Sequence, residues 1–226
     1  MEINENTLTV LQNFANINPN IMFDGTNTVK TMSEARNIVA KTSITSAPEK
    51  SFGIYDLSEF LSTLSLVQEP TLKFDNSYVT IGSSSGRSRI KYFYSDPDVL
   101  TYPQKEIIMP SVAVTFELTP ETLSSIKKAA TTLGHEDLKI VPKNGSLELI
   151  VCEIGNSTAN TFTIDVAADY DSGIDFELYF KIGNLKLLPK TYIVELAEKP
   201  ISKFTSKDDS VIEYWIAMEK DCVYRT

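Results

Sequence analysis

The sequence predicts an α+β fold made of two similar domains, each with two helices packed on antiparallel sheets. Three observations support this prediction. Most of the chain alternates between apolar and polar residues, four segments have the helical period, and the helices form two pairs that recur in the same order about half a chain apart. With 226 residues, 42% of them hydrophobic, the chain can form two small domains with a core in each.

Short alternating segments rich in Val, Ile, Thr, Tyr and Phe predict the strands. Asn144-Gly145, between two such segments, predicts a two-residue hairpin turn. The GSSSG segment (82–86) is also flanked by strand-like residues and lacks the GxxxxGK[ST] spacing of a phosphate-binding loop, so we interpret it as another turn. The predicted strands cover residues 37–44, 71–74, 78–82, 88–94, 113–118, 138–142, 146–151, 161–166, 176–182, 191–197 and 211–219.

Apolar residues at helical spacing predict the four helices. Asp56 precedes the second helix and Thr119-Pro120 begins the third, in positions where these residue types cap or start a helix. Gly134 ends the third helix. The predicted helices cover residues 5–15, 57–67, 120–132 and 183–188.

The two helix pairs indicate an internal duplication. TLTVLQNFA (7–15) is similar to TLSSIKKAA (122–130), and IYDLSEFL (54–61) is similar to YFKIGNLK (179–186) in its order of aromatic, polar and aliphatic residues. Between the halves, the segment 94–110 contains three prolines, which cannot donate hydrogen bonds to a sheet. We therefore predict an N-terminal domain, a connector and a C-terminal domain, covering residues 1–95, 96–110 and 111–226.

The sequence offers few residues for an enzyme or metal site. His135 is the only histidine, which excludes a multi-histidine zinc site, and its position between a helix stop and a strand favours a turn residue. Cys152 and Cys222 are too few for a disulfide framework, and we interpret Cys152 as a buried free thiol. The acidic run DYDSGIDFE (169–177) lacks the spacing of a calcium loop. We expect no catalytic residue, no metal and no cofactor.

The N-terminal residues lack the pattern of a signal peptide, and no segment has the roughly 18 consecutive apolar residues of a membrane span. These features predict a soluble cytoplasmic protein.

The acidic residues avoid the predicted helices. A net charge of −9 argues against a protein that binds nucleic acid with its whole surface, yet only three of the 30 acidic residues, Glu5, Glu59 and Glu121, lie in the helices. The outward positions carry hydroxyls, amides and lysines instead. Two interpretations stay open: a chance composition of short helices, or one shared surface that faces a polyanion through weak phosphate contacts.

Several segments carry a resemblance to a known family, and they occur in a consistent order over most of the chain. They are YDLSEFLSTLSLV (55–67), TLSSIKKAATTLG (122–134), the proline-containing connector, FANINPNIMF (14–23), DYD (169–171), NLKLLP (184–189) and YWIAMEKD (214–221). In this order they resemble the DNA polymerase sliding clamps of T4-type bacteriophages.

The resemblance implies a sliding-clamp fold and a homotrimer that closes head to tail into a ring around duplex DNA. Helices would line the hole and sheets would form the outer wall. The expected partners are the C-terminal tail of the replicative DNA polymerase, the clamp loader ATPase and late-transcription factors, in the cytoplasm of the infected bacterial host. No membrane partner is implied, and such clamps have no catalytic residues of their own.

The resemblance also assigns residues by position. Basic residues are usual in the family where this chain has Gln12 and Asn13, so the lysines of the later helices are expected to supply more of the attraction to DNA. Glu59 fits a DNA-facing surface least well. The expected DNA-facing residues are Gln12, Asn13, Lys127, Lys128 and Lys186; the docking residues are Ile107 and Ile108; and the subunit interface joins Arg89, Lys91 and Phe93 to Phe162 and Ile164 of the next subunit.

Two other functions remain as alternatives. A non-enzymatic phage structural or protein-interaction module built of β-sandwich domains would share the strand-rich pattern, but it does not account for the duplicated helix pairs or their low acid content. An acidic hydrolase is disfavoured by the single histidine.

Overall fold

A computed structural model describes residues 3–83, 86–208 and 211–225. The chain forms two compact units: unit 1, Met1–Glu106, and unit 2, Ile107–Thr226. The change from one unit to the next falls inside the predicted connector, whose own boundaries stay a prediction.

The described residues of unit 1 form two α-helices and two antiparallel sheets. One sheet has the strand order β3-β2-β1-β4, and the other has the order β5-β6-β7. A 3₁₀ turn at Pro97–Val99 follows. The elements of unit 1 are α1 (Glu5–Ile17), β1 (Ile21–Phe23), β2 (Thr28–Met32), β3 (Ile38–Ser43), β4 (Phe52–Ile54), α2 (Leu57–Ser65), β5 (Pro70–Phe74), β6 (Tyr78–Ser83) and β7 (Arg89–Phe93).

The core of unit 1 forms where the apolar sides of α1 and α2 meet the sheets. The two helices contact each other, and each buries the residues at its helical spacing. Phe23 and Phe52 stack with their ring centroids 4.6 Å apart. The buried helix residues are Val10, Leu11, Phe14 and Ile17 of α1 and Leu57, Phe60, Leu61 and Leu64 of α2.

The described residues of unit 2 form one α-helix and nine strands. They form antiparallel pairs in the order β16-β12-β9-β10-β11-β8-β13-β14-β15. The elements of unit 2 are β8 (Val112–Leu118), α3 (Pro120–Leu133), β9 (Asp137–Lys143), β10 (Ser146–Cys152), β11 (Phe162–Tyr170), β12 (Asp175–Lys181), a 3₁₀ turn (Ile182–Asn184), β13 (Tyr192–Ala197), β14 (Ile201–Ser206), β15 (Ile212–Ala217) and β16 (Val223–Arg225).

Local sequence signals explain how α3 and the β9–β10 hairpin form. The Thr119 side chain accepts a hydrogen bond from the Thr122 amide at the start of α3, and Gly134, with φ of 71°, ends the helix in the left-handed region. Asn144 and Gly145 have φ of 46° and 86°, which is the combination that a type I′ hairpin turn requires. The predicted caps and the predicted hairpin are confirmed.

The predicted fold class is confirmed, but the fourth helix, expected at 183–188, is a single 3₁₀ turn. Leu185, Leu187 and Leu188 are all buried, a spacing that a one-sided helix does not provide. The Leu188 carbonyl accepts a hydrogen bond from the buried Tyr192 hydroxyl at 2.9 Å, and the Leu188 amide donates to the Tyr214 hydroxyl at 3.4 Å, so side-chain contacts replace the helical bonds at this residue. The counterpart of α2 in the second half is therefore this turn.

The strands that sequence analysis missed are short or rich in polar residues. They are β1, β2, β4, β14 and β16. The GSSSG segment joins two antiparallel strands, β6 and β7, as a turn would; Ser84 and Ser85 within it lie outside the described residues. Among the described residues, no helix is long and apolar enough to cross a membrane.

Candidate functional site

The exposed sides of α1 and α2 border a groove in unit 1. Its volume is about 370 Å³, and every side chain that lines it is uncharged. Gln12, a predicted DNA-facing residue, is one of them and is exposed; Asn13 is half-buried and does not line the groove. The lining residues are Gln12, Ala15, Asn16, Ser58, Leu61, Ser62 and Ser65.

Several hydroxyls on this side of unit 1 donate back to their own helix. Ser62 Oγ donates to the Ser58 carbonyl at 2.8 Å, and Ser65 Oγ donates to the Ser62 carbonyl at 2.6 Å. Thr63 and Thr9 do the same with the carbonyls four residues earlier. A hydroxyl has one proton to donate, so these groups present acceptor lone pairs to the solvent.

Glu59, the acidic residue of α2, is engaged by a neighbouring strand. The Tyr92 hydroxyl on β7 donates to Glu59 Oε2 at 3.0 Å, and its ring meets Phe60 edge-on with centroids 5.2 Å apart. Burial, and then the hydrogen bond to Glu59 and its negative charge, raise the pKa of Tyr92, so the hydroxyl stays a donor at neutral pH. The carboxylate is therefore held on the β7 side of α2.

The corresponding surface of unit 2 is basic. A cleft of about 540 Å³ lies between α3 and the segment around Leu187, and Lys127 and Lys128 both line it. A second cleft of about 910 Å³ lies between the end of α3 and the 3₁₀ turn. Lys127 lines this one too, together with Lys181 and Lys186. Unit 2 thus gathers the three predicted DNA-facing lysines along α3.

Lys127 is a half-buried cation that lines both clefts. Burial lowers the pKa of Lys127. Among the described residues, Lys127 and Lys128 form no ion pair, whereas Lys181 is paired with Asp137 at 2.6 Å and Lys190 with Asp208 at 2.6 Å. The ammonium groups of Lys127 and Lys128 therefore remain available to an anion from outside the unit.

Sequence analysis missed several residues at these surfaces. Asn16 and Ser58 line the groove of unit 1, and His135, Glu136 and Lys181 line the larger cleft of unit 2. Asn16 could have been found, because it lies four residues after Gln12 on the same side of α1. Lys181 and Glu136 could not, because they come from a strand end and a loop that approach α3 only in the folded chain.

The predicted interface residues lie on two strands with exposed edges. In unit 1, β7 is the last strand of its sheet, and Arg89, Lys91 and Phe93 are exposed on it; Phe93 is 65% exposed. In unit 2, β11 pairs with β10 along residues 162–167 and with β8 only along residues 168–170. One edge of 162–167 therefore has no strand neighbour among the described residues of unit 2, and Phe162 and Ile164 there are half-buried.

Ion pairs hold the residue just before the predicted docking residues, Glu106, against two strands of unit 1. The Glu106 carboxylate bridges two lysines that are cross-strand partners, Lys30 on β2 at 2.5 Å and Lys41 on β3 at 3.3 Å. These two hydrogen-bonded ion pairs lower the pKa of Glu106. Ile107 is half-buried, and Ile108 is 88% exposed. The strongly exposed Ile108 therefore lies two residues after the anchored Glu106.

The remaining candidate groups make structural contacts. His135 is half-buried between the end of α3 and β9, and its Nε2 lies 2.8 Å from the Asn160 carbonyl. Cys152 and Cys222 are free and half-buried, and burial raises the pKa of both thiols. The part of the chain that the structure describes contains no group of three or more His, Cys, Asp or Glu side chains that could hold a metal ion.

The matching family models and the most similar curated proteins that we compared all describe DNA polymerase processivity factors or sliding clamps. The model of the DNA polymerase processivity factor family matches residues 4–102, and the model described as gp45 sliding clamp, C terminal, matches residues 115–220. The sliding clamp of Vibrio phage KVP40 is 29% identical over 97% of this chain and 99% of its own length. Those of Escherichia phage RB69 and Enterobacteria phage T4 are 26% and 25% identical, each over 99% of both chains.

Solved structures support the same fold at lower sequence identity. Proliferating Cellular Nuclear Antigen from Entamoeba histolytica superposes with a TM-score of 0.69 at 13% identity, covering 94% of each chain. The PCNA2-PCNA3 complex from Sulfolobus tokodaii gives a TM-score of 0.67 at 13% identity, covering 94% of this chain and 95% of that one. The resemblance to phage sliding clamps is confirmed, and the chain belongs to the sliding-clamp family of DNA polymerase processivity factors.

Proposed function

We propose that this protein acts as a homotrimeric ring that encloses duplex DNA and tethers the replicative DNA polymerase. The observation that carries the proposal is the contrast between the helix surfaces and the rest of this acidic chain. Lys127 and Lys128 of α3 form no ion pair among the described residues, although the net charge of the chain is −9. A surface of this kind attracts phosphates weakly and without reading sequence.

Two exposed strand edges support head-to-tail assembly. The edge of β7 belongs to unit 1 and the open edge of β11, along residues 162–167, belongs to unit 2, so joining them links one subunit to the next. Because the two edges differ, repeated joining produces a ring if the rotation closes. Arg89, Lys91 and Phe93 would then face Phe162 and Ile164 of the neighbouring subunit. The pairing would also cover backbone groups that an open sheet edge exposes.

The exposed Ile108, with Ile107 beside it, supports a docking role for this segment. An isoleucine with 88% of its surface in water is a candidate anchor for an apolar side chain of a partner. We assign this role to the C-terminal tail of the polymerase, and we expect the clamp loader ATPase and late-transcription factors to use the same segment. The protein would act in the cytoplasm of the infected bacterial host. The ring would position the polymerase on DNA and would not itself catalyse a reaction.

The test is retention on DNA of different topology. The full-length protein is loaded by its clamp loader and ATP onto nicked circular duplex and onto linear duplex with open ends, and free protein is removed by gel filtration. A ring stays on the circle, slides off the linear molecule, and leaves the circle after a restriction enzyme cuts it. Equal retention on circular and open linear DNA would overturn the proposal, because only enclosure makes retention depend on topology.

A further inference from the structure

The segment that joins α1 to β1 contains two asparagines whose side chains are buried. It is Asn18-Pro19-Asn20, within the FANINPNIMF segment, and Asn18 is fully buried while Asn20 is 8% exposed. A buried amide costs free energy unless its N–H groups and its oxygen are paired. The partners of these two amides therefore show which parts of the chain the segment holds together.

The two amides hold both backbone groups of Thr101, a residue of the predicted connector. Asn18 Nδ2 donates to the Thr101 carbonyl at 3.2 Å, and the Thr101 amide donates to Asn20 Oδ1 at 3.1 Å. Asn18 Nδ2 also donates to the Met32 carbonyl at the end of β2. These partners fix the orientation of each amide, because a carbonyl only accepts and a backbone N–H only donates. Thr101 lies in no strand, yet its backbone is paired as a neighbouring strand would pair it.

The same three residues are held by both helices of unit 1. Asn18 caps the end of α1, and its backbone N–H donates to the carbonyl of Phe14 at 2.9 Å. The Pro19 carbonyl accepts from the amide of Leu57, the first residue of α2, at 2.8 Å. Asn20 Nδ2 donates at 2.8 Å to the carbonyl of the residue that precedes the α2 cap. The hold on Thr101 is therefore attached to the end of one helix and the start of the other.

The chain is also fixed on either side of Thr101. Leu100 is buried beside Gly53, where a Cβ would collide with Leu100 Cδ1, so this close approach requires glycine. Further along, Glu106 is bound by two lysines of β2 and β3. Residues 102–105 therefore run between two points that are both held to unit 1, and the docking residues follow the second point.

We propose that Asn18 and Asn20 are positioning residues for partner docking: by holding both backbone groups of Thr101, they order the connector that leads to Ile107 and Ile108 before the polymerase tail binds. This inference rests on the proposed function. A chain that is held at both ends has few conformations to lose, so a partner that binds it needs little free energy to order it. Without the hold on Thr101, the ordered form is only a fraction of the population, and the apparent affinity falls by that fraction.

Two variants of the full-length protein at Asn20 isolate the hydrogen bond to Thr101. Asn20→Ala removes the acceptor of the Thr101 amide, and one hydrogen bond corresponds to a factor of about five in an equilibrium constant. We expect Asn20→Ala to bind a polymerase-tail peptide about fivefold more weakly in titration calorimetry, with shifted amide resonances of Ile107 and Ile108. Asn20→Asp also loses the donor to the Tyr55 carbonyl, but it keeps an oxygen for Thr101, so its affinity should stay within about twofold of wild type.

A third variant removes the same hydrogen bond from the side of the connector. Thr101→Pro has no amide hydrogen and leaves both asparagines in place. Leu100, with φ of −95° and ψ of 140°, already has the extended conformation that a residue before proline adopts. Thr101→Pro should therefore lose about as much peptide affinity as Asn20→Ala, roughly fivefold.

Thr119→Ala is the matched control, because it removes one capping hydrogen bond of α3 in unit 2 and leaves the connector contacts in place. Sedimentation and urea denaturation of each protein show its oligomeric state and its stability. An equal loss of affinity in Thr119→Ala or in Asn20→Asp would overturn the inference, because the loss would then follow stability or the Tyr55 contact. Wild-type affinity in Asn20→Ala would overturn it too. If Asn20→Ala does not assemble, the affinity of Thr101→Pro decides in the same way.

The wild-type protein separates this inference from the proposed function. If it does not bind the peptide, or is not retained on nicked circles, the proposed function fails. If it does both and the variants bind the peptide equally tightly, only the positioning role of Asn18 and Asn20 fails.

Discussion

The Tyr92 hydroxyl on β7 donates a 3.0 Å hydrogen bond to Glu59 Oε2 on α2, and it lies 3.2 Å from the Asp56 carbonyl at the start of the same helix. This contact joins a helix that is expected to face DNA to a strand that is expected to face the next subunit. It also accounts for Glu59, the residue that fitted the sequence hypothesis least well. The carboxylate is held at the β7 side of α2, and it is not among the side chains that line the α1–α2 groove.

Removing the Tyr92 hydroxyl should weaken this connection. We expect Tyr92→Phe to lower the free energy of unfolding by about 1 kcal/mol, the usual net contribution of one hydrogen bond, since the ring contact with Phe60 is kept. Urea denaturation measures the change. Tyr78→Phe is the matched control, because the Tyr78 hydroxyl has no hydrogen bond within the described part of the chain. Equal losses in the two variants would contradict the assignment.

The exposed side chain of Phe93 allows a test of the subunit interface. Phe93→Asp should shift the protein from trimer to monomer, because it places a charge in the apolar part of the proposed β7–β11 contact; a loss of about 2 kcal/mol per interface is typical of such positions. Sedimentation equilibrium measures the mass. Val99→Asp serves as the control, since Val99 is also exposed, at 59%, but lies outside both strands. A Phe93→Asp protein that keeps the mass of a trimer would remove Phe93 from the interface.

The docking role of Ile108 can be tested with little risk to folding. Because its side chain is 88% exposed, Ile108→Asp removes no core contact, and we expect it to weaken binding of a polymerase-tail peptide by about tenfold while the oligomeric state stays unchanged. Titration calorimetry measures the affinity. Leu66→Asp, at a residue 75% exposed at the end of α2, is the control. If Ile108→Asp binds the peptide as tightly as Leu66→Asp, the peptide docks elsewhere.

The ion pairs of Glu106 predict a response to acid. A carboxyl group whose pKa is lowered in the folded state stabilises the fold above its usual pKa, and this contribution is lost as the pH falls through the lowered value. We therefore expect the amide resonances of Ile107 and Ile108 to shift in acid as the segment is released from Lys30 and Lys41. In Glu106→Gln they should show the released positions at neutral pH and no such titration. The same titration in both proteins would mean that another group controls the segment.

The sequence by itself determined the features that depend on a few neighbouring residues. Asp56, Thr119 and Gly134 cap or end their helices as predicted, because the side-chain oxygen or the missing Cβ acts within one turn. Asn144-Gly145 specifies its hairpin in the same local way. The apolar spacing of α1, α2 and α3 was enough to place these helices, although each differs from its predicted ends by up to two residues.

The tertiary structure decided the features that depend on partners far along the chain. The segment expected to be a fourth helix became one 3₁₀ turn, because three leucines are buried together and the Leu188 amide donates to the hydroxyl of the distant Tyr214. Lys181 has the same charge as Lys127, yet of the two only Lys181 forms an ion pair in the described part of the chain, because Asp137 lies beside it after folding. The hydroxyls of α2 could be read from the sequence, but the direction of their protons depends on the helix geometry. The charge of a side chain and the spacing of apolar residues are local properties of the sequence. Ion pairs and hydrogen bonds between distant residues form only in the folded chain.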